Sequence, residues 1–331
     1  MRTLAVLLLL GQASMGNAAA DESLQSRPDP DGTPTRVEVG LYIIDISQID
    51  GVGQSFTADC VLQLRWKDPR ITGQDARFTL DQVWHPNVEI YNLRSHDKMF
   101  DEFVAVLPDG TVQYTQKYHA ELASPIDYHD FPFDSQGLSI TLVSFGNRPD
   151  EVELIADTIG REETFSVPGW TIEQRNAVVS TVLVNQLAGA GEVIERPRLD
   201  LRFEARRQVH YYRWKALVPL SIIVALSWAV FWIDPVAISA QIGVAATSIL
   251  TMIAFLLSLE NIVPPVAYLT RLDKFVFACL ALVFLAYVEA VATIWLARLR
   301  ENRTLVNGMD RWSRALFPIV YAVVVIVCWA V

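Results

Sequence analysis

Seven residues in the last third of the chain, Ser239, Gly243, Thr247, Leu250, Ala254, Leu257 and Asn261, recur at spacings of three and four. On an α-helix that spacing puts them on one face. The face is small and polar at its start and apolar further on. Two uses fit such a stripe. A helix lining a water-filled path needs polar side chains to keep water at the narrow end, and leucines that can close it by dewetting. Close helix packing also recruits Ser, Gly, Thr and Ala, and the stripe alone leaves both readings open. Two carboxylates flank the segment, Asp234 before it and Glu260 at its end. Repeated around an axis they would concentrate cations; as single helix-end charges they would face lipid headgroups.

Other chemistry has few candidates. The chain shows no nucleophile elbow, phosphate-cradling glycine loop or metal-ligand spacing, so it reads as neither an enzyme nor a cofactor or metal protein. Cys60 is the one cysteine of the first half, which therefore has no internal disulfide; Cys279 and Cys328 lie in apolar stretches. All three read as free buried thiols. The net charge of −10 gives no basic surface for nucleic acid.

The elements that must position these residues fall into two solvents. Residues 21–207 hold 31 acidic and 17 basic side chains, whereas residues 208–331 hold 6 and 9 and are mostly apolar. Arg2, the run Leu4–Leu10 and Ala18-Ala19-Ala20 read as an export signal over residues 1–20. From Thr35 to about Arg206 the pattern is short alternating runs, such as Arg36–Ile46 and Ser55–Trp66, punctuated by turn residues. Leu107-Pro108-Asp109-Gly110-Thr111 is a hairpin signal. Short strands at regular intervals predict an immunoglobulin-like β-sandwich over residues 21–212. Four apolar segments follow in residues 213–331, at about 216–233, 235–259, 275–299 and 315–331, each long enough to cross about 30 Å of hydrocarbon. Arg298, Arg300, Arg303, Arg311 and Arg314 gather at or between the last two segments. That places the loop in the cytoplasm and both chain ends outside, in a cell (inner) membrane.

Several motifs in one order resemble the pentameric ligand-gated ion channel (Cys-loop receptor) superfamily. They are Trp66-Lys67-Asp68 with Arg70, Trp84-His85-Pro86 running on to Tyr91-Asn92, and Phe131-Pro132-Phe133-Asp134. Arg207, Tyr211 and Pro219 match the approach to the first membrane helix, Gln241–Met252 the pore helix, and Pro264 the proline after it. The signature loop normally has a cysteine at each end; here these positions are Ser124 and Leu138. The loop between the third and fourth segments has only about fifteen residues. Both departures resemble the prokaryotic members.

The resemblance implies a homopentamer, this chain with four further copies, embedded in lipid and conducting ions along the stripe. Leu250 then matches the central hydrophobic gate, and Leu257 is a second constriction. The inner mouth carries Ser239, Ala240 and Gln241, neither the glutamate of cation channels nor the Pro-Ala-Arg of anion channels. Asp234, Glu260 and the acidic first half favour monovalent cations, with an anion channel as the alternative. A small-molecule or proton agonist would act on sites between subunits, where Tyr91 and Phe145 match aromatic positions and Val61 replaces a tryptophan of many relatives. The third loop, about Asn185–Arg196, has no aromatic residue, which argues against a cage for a quaternary ammonium. Coupling to the pore would run through Asp50 and Val52 of one turn, Phe131, Pro132, Phe133 and Asp134, Arg207, and Pro264, with Asp134 and Arg207 as an ion pair. His85, His96, His119, His129 and His210 are equal candidates for proton sensing. Two rivals remain: a transporter using Glu289, which lacks the expected repeats, and a membrane-tethered binding protein that conducts nothing.

Overall fold

The computed structural model describes residues 22–29, 32–185, 193–234, 237–259, 266–299 and 303–329. The export signal expected over residues 1–20 lies outside them. The chain divides into two compact units: Met1–Pro125 with Gly137–Pro168 and Ile172–Glu204, and Ile126–Gln136 with Gly169–Thr171 and Ala205–Val331.

The first unit is built on two β-sheets. Alternation makes them. In β1 (Thr35–Asp50), Val37, Val39, Leu41 and Ile43 are buried; β2 (Ser55–Lys67) buries Phe56, Ala58, Cys60, Leu62, Leu64 and Trp66. Successive side chains of a strand point to opposite faces, so each strand offers the core every second residue. β1 pairs antiparallel with β2, and β2 with the strand Thr111–Ala123. β1 also pairs in parallel with the strand Val152–Arg161. A second sheet orders the strands Trp170–Asn185, Val193–Arg207, Ser135–Ser144 and Val88–Ile90. Cys60 is a fully buried free thiol that burial pushes up to about 12, as inert as the sequence implies; Cys328 is only half-buried.

The motif Trp66-Lys67-Asp68-Pro69-Arg70 ties off the end of β2. Buried Asp68 accepts from the Arg70 backbone N–H at 3.0 Å and from its guanidinium Nε and Nη2 at 2.9 and 2.7 Å. The Asp68 N–H donates to the Gly110 carbonyl. Gly110 has φ +77°, a conformation that favours glycine, and an added Cβ would lie 2.9 Å from the Asp68 carbonyl oxygen.

The second unit holds four apolar helices long enough to cross a membrane: His210–Trp232, Ile238–Leu259, Arg271–Leu296 within a helix reaching Leu299, and Gly308–Trp329 within one starting at Arg303. The second helix packs on the first and third, the fourth mainly on the third. This is the predicted β-sandwich followed by a four-helix bundle. Helix hydrogen bonding does not stop where hydrocarbon would, so the first, third and fourth helices begin several residues before the apolar runs. Glu289 of the third helix accepts a hydrogen bond from the Ser313 hydroxyl of the fourth, which makes it a packing contact in this bundle.

Candidate pore face and gating junction

On the second helix the buried residues are Gln241, Ala245, Ser248, Met252 and Leu259. At about 100° per residue they fall on one side, and the predicted stripe falls on the other. Ser239, Gly243, Thr247, Leu250, Ala254 and Leu257 are all exposed, Leu250 at 68% and Leu257 at 60%. Two hydroxyls on and beside this face are satisfied by their own helix. Thr247 Oγ1 donates to the Gly243 carbonyl and Thr251 Oγ1 to the Thr247 carbonyl, both at 2.8 Å. Their oxygen lone pairs still face outward and can accept from water. Asp234 is exposed just before the helix. Asn261, Glu260 and Pro264 lie outside the described residues.

The signature loop and the approach to the first helix form a junction within the second unit. Arg207 Nε donates to Asp134 Oδ1 at 2.7 Å and Nη2 to Oδ2 at 3.0 Å, the two-pronged geometry of strong arginine–carboxylate pairs. Gln136 Nε2 donates to the same Asp134 Oδ2 at 2.7 Å. The guanidinium lies 4.1 Å from the Trp170 ring centroid and 4.8 Å from that of Phe131. Burial works against the Arg207 charge, and the Asp134 hydrogen bonds and charge outweigh it, holding the guanidinium protonated. Phe131 is wholly buried, 5.0 Å edge-to-face from Tyr212. Pro132 is buried beside it. Phe133 meets Trp329 at 5.5 Å, and Trp329 meets Phe275 at 5.6 Å. Backbone bonds join the loop to the third helix: Arg271 N–H to His129 O at 2.9 Å and Leu272 N–H to Phe131 O at 3.0 Å.

In the first unit, Asp50 uses its carboxylate to shape its own turn. Its Oδ1 accepts from the Val52 and Gly53 N–H groups at 2.9 and 3.0 Å, and Val52 stands 67% exposed at the tip. The turn therefore presents an apolar side chain, with the charge folded back.

Tyr91 and Phe145 come together as a stacked pair, centroids 6.2 Å apart and planes 30° apart, with Tyr91 48% exposed. Asn92 fixes them: its Nδ2 donates to Ala123 O in the first sheet at 2.9 Å and to Ser139 O in the second at 2.8 Å. The Tyr91 N–H donates to Thr141 O at 2.7 Å. Val61 is half-buried on β2, opposite Tyr42 and Lys117. His85 is half-buried beside this region; burial pushes its imidazole down, with Glu102 and Glu89 opposing. Of the third loop, residues 186–192 lie outside the described residues.

Residues 22–209 match the neurotransmitter-gated ion-channel ligand binding domain, and residues 216–306 match the transmembrane region of the same channels. The chain belongs to the pentameric ligand-gated ion channels. A proton-gated ion channel of Gloeobacter violaceus is 27% identical over 87% of this chain and 80% of its own length. The gamma-aminobutyric acid receptor subunit beta-4 of Gallus gallus is 27% identical over 87% of this chain and 61% of its own. This family member is thus a multi-pass membrane protein and not an enzyme.

The sequence marks one half of this channel's junction, Phe131–Asp134 and Arg207, and not the other. Trp170, Gln136, Tyr212, Tyr268 and Trp329 come from five separate places in the chain, and no local pattern marks them. Nothing in the sequence sets His129 apart from the other four histidines.

Proposed function

We propose that this channel is a homopentamer selective for monovalent cations, with the second helix lining the pore. The observation that carries the reading is that the described stripe residues, Ser239 to Leu257, are exposed on the side of the helix opposite its buried residues. A lipid-facing surface has no use for Ser239, Gly243 and Thr247, whereas five copies around an axis would turn them into hydrated rings and Leu250 into a closing ring. Leu257 would form a second ring, and Asn261 and Glu260 would end the face. Five copies of Asp234 and Glu260, with a receptor domain of acidic composition, would raise the local cation concentration. The receptor domain, residues 21–212, and both chain ends lie outside the cell membrane, and residues 213–331 carry the pore.

The agonist is a proton or a small molecule. The proton-gated relative supports the first, and the exposed Tyr91–Phe145 stack, with Val61 of an adjacent copy, supports the second. Coupling to the gate runs through Asp50, Val52, the Phe131–Asp134 loop, Arg207 and Pro264. The test is current from the expressed chain under voltage clamp, with outside pH stepped and sodium chloride then replaced by salts of an impermeant cation or anion. A reversal potential that follows sodium supports the proposal. One that follows chloride replaces it with an anion channel. Silence of the wild type and of Leu250→Ser under every stimulus points to a protein that does not conduct.

A further inference from the structure

His129 sits in a three-sided clasp that the coupling residues above do not use. Its ring lies flat on the Tyr268 ring, centroids 3.9 Å apart and planes 1° apart. Its Nδ1 is 2.6 Å from Asp127 Oδ1, and its backbone N–H donates to the same oxygen at 2.9 Å. Tyr268 closes the figure: its hydroxyl accepts from the Tyr128 N–H at 2.9 Å and donates toward Asp127 Oδ1 at 3.4 Å. Tyr268 belongs to the segment entering the third helix, and His129 to the signature loop, so the clasp joins the two. Gln136 ties it to the neighbouring ion pair, donating from Nε2 to both Asp127 O and Asp134 Oδ2.

Hydrogen bonds from the His129 backbone and ring hold the Asp127 carboxyl below its usual range. It is therefore a carboxylate near neutral pH, and the His129 Nδ1 facing it must carry hydrogen. The proton that can come and go is on Nε2. Its arrival makes a neutral hydrogen bond charge-assisted, roughly doubling its strength, and lays a cation on the Tyr268 π-face. The other charged groups here are engaged or turned elsewhere. Arg207 and Asp134 pair with each other, Arg271 lies over Phe133, and Asp273 accepts from Thr270; Asp130 is exposed next to His129 and favours the same protonation.

We propose that His129, Asp127 and Tyr268 form a proton-operated latch that tightens the signature loop onto the entry of the third helix as pH falls, and so strengthens coupling to the gate. The latch rests on the channel reading for its effect on current, but not for its existence. Two measurements on the full chain separate these.

Under voltage clamp, the stimulus giving half-maximal current should depend on outside pH. The dependence should weaken by about three- to tenfold in His129→Gln and in Asp127→Asn. Equal pH dependence in wild type and both variants overturns the proposal. In purified protein, the gap in thermal midpoint between wild type and His129→Gln should widen as pH falls. A gap that does not change with pH overturns the latch, whether or not current is seen. A widening gap in a protein that never conducts leaves the latch standing and removes the channel reading instead. Both side chains are largely exposed, 60% for His129 and 73% for Asp127, so these variants should fold. Should one fail to, the other carries both measurements.

Discussion

The signature-loop junction and the stripe on the second helix satisfy their polar groups in opposite ways. At the junction each group finds its partner in another stretch of the same chain: Asp134 receives Arg207 and Gln136, and the Arg207 guanidinium is walled by Trp170 and Phe131. On the stripe, the Thr247 hydroxyl is bonded to its own helix, and Leu250 and Leu257 touch nothing that would bury them. One region is finished by folding. The other, on the proposed function, would acquire its purpose through water and further copies. A disturbance should therefore show as lost stability at the first and as altered conduction at the second.

The largest effect should come from Arg207→Ala. It leaves a buried carboxylate with its main partner gone, and such losses cost about 3–5 kcal/mol. Thermal unfolding of the purified protein should fall steeply, and Asp134→Asn combined with Arg207→Gln should recover part of the loss. A stability close to wild type would mean that the pair is solvated and the junction is not the closed unit described here.

Leu250→Ser should do the reverse. With no burial to lose in the single chain, unfolding should shift by no more than about 0.5 kcal/mol, while current without stimulus should rise, about tenfold for every 1.4 kcal/mol taken from the closed state. A variant that unfolds as readily as Arg207→Ala, with no change in current, would make the stripe a packing seam and erase the contrast.

The smallest effect should be on pH dependence in the first unit. Burial holds the His85 imidazole below its usual value, so near that value the unfolded chain binds more protons than the folded one. Stability from this group is complete above about pH 6.5 and is lost as pH falls through the lower folded value. Thermal midpoints measured across that range should show a downward slope toward acid that flattens in His85→Gln. A slope left unchanged in His85→Gln would show that burial at this imidazole does not set it.

Much of the fold was legible because it obeys short periods. Alternation in β1 and β2 predicts which residues enter the core, since a pleated strand turns every second side chain inward. Length and apolarity mark the four helices, because in a membrane core a single apolar segment satisfies its own backbone only as a helix. The start of the fourth helix was not legible: Arg303 and its neighbours are polar, and a hydropathy pattern sees only the hydrocarbon-length part. The orientation of the Asp50 carboxylate was not legible either. Its turn was evident from Gly51 and Gly53, but that the carboxylate would bend back and leave Val52 at the tip is a matter of hydrogen-bond geometry.

By itself, then, the sequence determined the β-sandwich, the helices and the spacing of the stripe, because each follows from neighbours a few residues apart on a regular backbone. It also supplied Asp134 and Arg207 as charges that need each other. Tertiary structure alone decided what surrounds them. Residues as distant as Gln136, Trp170 and Arg207 meet, as do His129 with Tyr268 and Phe133 with Trp329. No local period relates them; they are neighbours only because packing of the remaining chain brings them there.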